Sequence, residues 1–115
     1  MRFCWKKGCS VNSFSENLKT LGSVETLAAL ELHDANGNLL ARIENKAGSQ
    51  GSLAVYAHLL SRFGVLNAQA AAEGLVLYAE HTSDAKTFPG KHPNIDRLLE
   101  VIDFNHVYSM SLVSM

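Results

Sequence analysis

Side chains that can donate, accept or shuttle a proton crowd into one stretch of this chain. Tyr78, Glu80 and His81 precede a Pro89-Gly90 break, and Lys91, His92, Asn94 and Asp96 follow it. Imidazole is the side chain whose charge changes near neutral pH, so His81 and His92 are candidate acids, bases or ligands. Pro93 suits the first position of a helix, whose start offers unpaired backbone N–H groups and a partial positive charge. An anionic group on a ligand is favoured at such a place. Tyr78, Glu80, His81, Lys91, His92 and Asp96 are therefore the candidate ligand-binding residues. Glu80 and His81 adjoin in sequence, but adjacent helix residues point about 100° apart and do not face each other. The plain alternative is a loop in which Lys91 and Asp96 are solvated and His92 caps the last helix.

Other signals fall short of a known chemistry. No HxxxH or HExxH spacing supports metal binding, so no metal and no cofactor are expected. Gly48-Ser49-Gln50-Gly51-Ser52 is rich in glycine but lacks the GxxxxGK[ST] arrangement of a phosphate loop. No GxSxG elbow occurs. Cys4 and Cys9 form neither a CxxC pair nor part of a four-ligand set. His33 and His58 read as exposed, and His106 as part of a strand, so each is assigned a structural place.

The elements that must hold the cluster are readable from periodicity. Ser13 and Glu16 fit a capping box ahead of a short helix with Phe14, Leu18 and Leu21 on one face, which Gly22 can end. Thr26–His33 and Leu39–Asn45 read as strands joined at Asn36-Gly37, a type I′ hairpin signal. That turn places Leu32 opposite Ala41, Leu30 opposite Ile43, and Glu31 opposite Arg42, with the apolar pairs on one face. After a loop from Lys46 to Gly51, Ser52 caps a helix with Leu53, Tyr56, Leu60 and Phe63 as its stripe, and Gly64 closes it. Asn67 caps the next helix. A continuation to His81 is preferred over a short strand at Leu75–Ala79, because Ala71, Leu75, Tyr78 and Thr82 keep helical spacing. One more helical turn fits within Ser83–Phe88. Ile95, Leu98, Leu99 and Ile102 form the core face of the Pro93 helix. Phe104, His106, Tyr108, Met110 and Leu112 alternate, which predicts a C-terminal strand joining the hairpin.

These elements predict an α+β fold: a small antiparallel or mixed sheet, made of the hairpin and the C-terminal strand, packed against three or four helices. The chain has 115 residues, 47% apolar and 18% charged, with a net charge of −1. That composition fits one globular domain, assigned to residues 12–115, with residues 1–11 read as a flexible or non-native extension. Lys6-Lys7 is the one basic pair, so nucleic acid is not expected as a partner. No apolar run approaches the ~20 residues of a membrane span, and no export signal is seen, so a cytoplasmic setting with reduced cysteines is expected.

The stretches Glu31-Leu32-His33-Asp34 with the Asn36-Gly37 turn, Arg42-Ile43-Glu44-Asn45, Leu77-Tyr78-Ala79-Glu80-His81-Thr82 and Pro89-Gly90-Lys91-His92-Pro93-Asn94-Ile95-Asp96-Arg97-Leu98 carry a resemblance. The chain from about Phe14 to Ile102 resembles a family of short bacterial proteins of unknown function. The resemblance implies a single bacterial domain and transfers no catalytic role. The first functional expectation is a non-enzymatic binding or protein-interaction module, possible as a homodimer through the edges of its sheet. The alternative is a small enzyme, or a protein binding a small anionic ligand, that uses the Tyr78 to Asp96 region.

Overall fold

A computed structural model describes residues 14–21, 24 and 26–114. The Ser13/Glu16 cap, the Gly22 stop, the two cysteines and the boundary near residue 12 lie outside the described residues. The elements are α1 (Phe14–Thr20), β1 (Leu27–His33), β2 (Leu39–Glu44), α2 (Gln50–Phe63), β3 (Val65–Leu66), α3 (Ala68–Tyr78), α4 (Glu80–Thr87), α5 (Pro93–Phe104) and β4 (Tyr108–Ser114). The fold is α+β: among the described residues there are five helices and one antiparallel sheet in the order β2-β1-β4-β3. One core joins the sheet residues Leu30, Leu32, Ile43 and Met110 to Leu53, Tyr56 and Leu59 of α2 and Leu98 of α5. Burial of these side chains drives the association of helices with sheet.

The hairpin register follows the apolar pattern: Leu30 faces Ile43, Leu32 faces Ala41, and Glu31 faces Arg42. The Arg42 guanidinium donates to Glu31 Oε2 at 2.7 Å. The turn itself differs from the type I′ expectation. Gly37 alone has positive φ, at 85°, and its N–H donates to Asp34 O. This is a three-residue connection ending in a left-handed glycine, and a register shift beside His33 absorbs the extra residue. The Asp34 carboxylate accepts from the Asn36 and Asn38 N–H groups, which stabilises this alternative and holds its pKa below the usual range.

Three further boundaries depart from the periodicity. α2 begins at Gln50, so Ser52 lies inside its first turn and caps nothing; Ser49 is the N-cap residue. The helix expected to run to His81 breaks at Ala79, whose φ is 54° and ψ −118°. Polar side chains take the carbonyls a continuous helix would use. Asn17 Nδ2 donates to Leu77 O at 2.8 Å and Thr82 Oγ1 donates to Leu75 O. The following helix, α4, is a full eight residues rather than a single turn. At the other end α5 runs through Phe104, and Asn105 adopts the left-handed cap with φ 54°. β4 therefore starts at Tyr108, and His106 lies in the connection, its ring 5.3 Å from that of Tyr108. Val101, not Ile102, completes the buried face of α5. The two-residue β3, which pairs Val65 with Ser109 and Leu66 with Tyr108, was hidden in the helix-to-helix link.

No described helix is long and apolar enough to cross a membrane.

Candidate functional site

The break at Ala79 sends Glu80 and His81 in different directions. Glu80 points outward: its Oε1 accepts from the Phe14 N–H at 2.9 Å, which holds its pKa below the usual carboxylate range. His81 points into a cleft of about 540 Å³ bordered by α1, the starts of α2 and α5, and the loop ahead of α5. Phe14 forms one wall, with its ring stacked on Tyr78 at 5.3 Å and meeting His81 edge-on at 5.0 Å. A Cβ on Gly51 would lie 3.0 Å from Phe14 Cζ, so the missing side chain lets that ring settle against α2.

The opposite wall carries the basic groups. The His92 ring is 5.6 Å from that of His81. His92 Nε2 is 2.7 Å from Asp84 Oδ2, and Lys91 Nζ is 3.0 Å from the same oxygen. Asp84 is thus held in its charged form, its pKa lowered first by the bond from His92 and then by Lys91. Asp84 stands behind the two basic residues and does not line the cleft, and no carboxylate lines it among the described residues. Among the described residues, the charged or imidazole side chains on its surface are Lys91, His81 and His92.

The floor is fixed by hydrogen bonds to buried tyrosines. Tyr78 is 3% exposed and donates to Ser52 Oγ at 2.7 Å. Burial pushes its hydroxyl far up, so it stays a neutral phenol. Tyr56 donates to Asn94 O, and burial raises its pKa to about 12. Arg97 donates to both the Tyr56 hydroxyl and Asn94 Oδ1, which pins the first turn of α5. Neither His92, the N-cap residue of α5, nor Ser49, that of α2, makes a side-chain capping bond. Ser49 donates instead to Glu44 O and Lys46 O. Backbone carbonyls take some of the first-turn donors, with Gln50 N bonded to Lys46 O and Ile95 N to His92 O, and Pro93 has none. The N–H groups of Gly51, Ser52 and Asn94 are the ones left facing the cleft side of the two helix starts.

Of the six residues singled out from sequence, Tyr78, His81, Lys91 and His92 share this cleft. Glu80 and Asp96 do not. Asp96 Oδ2 accepts from Gly90 N at 2.9 Å and faces a separate hollow with Leu75, Leu99 and Ile102. His92 caps nothing; its partner is Asp84, eight residues earlier and invisible to a reading of the loop alone. Phe14, Gln50 and Ser52 also line the cleft and are absent from the sequence-based cluster, and Asn94, part of that cluster but not one of the six, lines it too. The one hint in the sequence is the glycine-rich segment before α2, which lacks a phosphate-loop pattern but borders the cleft. His58 pairs with Glu73 at 3.0 Å, which Arg62 also engages, and His33 sits 4.0 Å from Glu31.

Among the described residues no group of three or more His, Cys, Asp or Glu is arranged to hold a metal ion. What the cleft offers is a cationic rim, free donors, fixed hydroxyls and an aromatic wall. No curated protein and no solved structure matches the chain. A family model described as an uncharacterized protein conserved in bacteria (DUF2322) matches residues 14–112. Those residues hold every element from α1 to the body of β4, and the chain belongs to that bacterial family.

Proposed function

We propose that this protein is a binding module whose cleft takes a small anionic ligand. The observation that carries the reading is the sign of the charge: Lys91, His81 and His92 line the cleft, and no described carboxylate does. An anion entering there meets a cation, two groups able to take a proton, and backbone donors from two helix starts. Asp84 holds Lys91 and His92 at the rim rather than competing for the interior. Titration with inorganic phosphate at constant ionic strength, followed by NMR, tests it. Shifts are expected at the starts of α2 and α5 and at His81, and Lys91→Ala or the His81→Ala/His92→Ala pair should abolish them with the fold intact. Shifts confined to the hairpin would overturn the reading.

A second reading rests on the Asp84–His92 pair. A carboxylate bonded to an imidazole beside a binding cleft is an arrangement suited to acid–base catalysis. It predicts slow turnover of a bound ester that is lost in His92→Gln; binding without turnover across a panel of esters favours the module. The same proposal includes a homodimer formed along the sheet edge.

A further inference from the structure

The cleft is not uniform from end to end. Four rings form a continuous run: Tyr78 to Phe14 at 5.3 Å, Phe14 to His81 at 5.0 Å, and His81 to His92 at 5.6 Å. The run begins at the buried Tyr78 phenol and the Phe14 hydrocarbon ring, passes through imidazole and ends beside the Lys91 ammonium. Leu18 joins Phe14 at the apolar end, where both α1 side chains lie close to Gly51. Asn94 and the start of α5 lie at the polar end.

Size decides between two kinds of anion. A volume of about 540 Å³ falls among the clefts that take organic ligands of drug size, roughly 300–1,000 Å³. A bare phosphate would occupy the cationic end and leave Phe14 and Leu18 facing water. An anion joined to a ring or short acyl body would fill both ends and cover that apolar surface, which is favourable in proportion to the area removed from water.

We infer that the ligand is an amphipathic organic anion, its charged head at Lys91 and His92 and its apolar body against Phe14 and Leu18. This inference rests on the anion reading above and adds the second half of the ligand. It assigns α1 a binding role, which the cationic cluster alone does not require.

Calorimetric titrations of the full chain with phenyl phosphate, phenylacetate, inorganic phosphate and benzyl alcohol test it. Phenyl phosphate should bind at least about tenfold more tightly than inorganic phosphate, a difference of about 1.4 kcal/mol. Phenylacetate should bind and benzyl alcohol should not, because the alcohol lacks the head. Leu18→Ala should weaken phenyl phosphate severalfold and leave inorganic phosphate unchanged, a comparison made within one variant and so independent of its stability. Equal affinity for the two phosphates would uphold an anion site and overturn the amphipathic ligand. Equal binding of benzyl alcohol and phenyl phosphate, or no binding by any of the four, would overturn both readings.

Discussion

Asp84 is the residue on which the electrostatics of the cleft turns. Its oxygen holds Lys91 and His92 together, and those bonds lower its pKa. A carboxylate with a depressed folded pKa contributes stability above its ordinary value, near 3.8, and loses it as pH falls through the folded value. Asp84→Asn should therefore be less stable than the parent at neutral pH, and the gap should narrow once the pH drops below the ordinary value near 3.8 and close as it falls through the lower folded value. Thermal unfolding across that range reads the effect; a gap that stays constant would show that the ion pairs contribute nothing. The same substitution removes a negative charge behind the cleft. Phosphate affinity should rise by about threefold, the size of one unit charge acting over roughly 6 Å in a water-like medium. His92 and Lys91 stand out in the sequence and Asp84 does not, because their meeting depends on how α4 packs on α5.

At the scale of elements, the legible parts were those in which local chemistry and burial agree. The hairpin register, the Asn67 cap accepting from Ala70 N, and the Gly64 stop at φ 79° all follow from side chains within a few residues. The break at Ala79 was not legible. Its causes are Asn17, sixty residues away, and Thr82, whose hydroxyl takes a carbonyl from the preceding helix. Alanine has no intrinsic preference for a φ of 54°, and sparsely populated backbone conformations cost on the order of 1–3 kcal/mol. Glycine carries no such penalty there. Ala79→Gly should accordingly stabilise the protein by about 1 kcal/mol, after the greater entropy of an unfolded glycine is subtracted. Denaturant unfolding measures it. A loss of stability would mean that the residue tolerates its conformation without strain, and that continuity of α3 into α4 is set elsewhere. The positions of His81 and Glu80 depend on that same break, so the sequence names both residues without showing that His81 enters the cleft and Glu80 turns away from it.

For the whole molecule, the open question is where two copies would meet. The sheet has two flanks. At β2 the flank carries Arg42, Glu44 and Lys46 in mutual ion pairs, together with the register shift beside the turn. Charges and bulges of this kind discourage strand addition. At the other flank β3 covers only Tyr108 and Ser109 of β4. From Met110 to Ser114, β4 pairs with β1 on one side and with no described strand on the other. Leu112 is 47% exposed within this stretch. The C-terminal strand thus does what its alternation predicted, joining its own hairpin, and still leaves a short edge with few charges. Two copies related by a two-fold axis could add strand to strand there, each β4 antiparallel to the other. Light scattering across a dilution series should show a dimer that dissociates on dilution, and Leu112→Lys should give a monomer with unchanged unfolding temperature. A parent chain that stays monomeric at high concentration would rule out this edge. A dimer that persists in Leu112→Lys would place the contact elsewhere, with the exposed Val76 and Phe88 as the next surface to substitute.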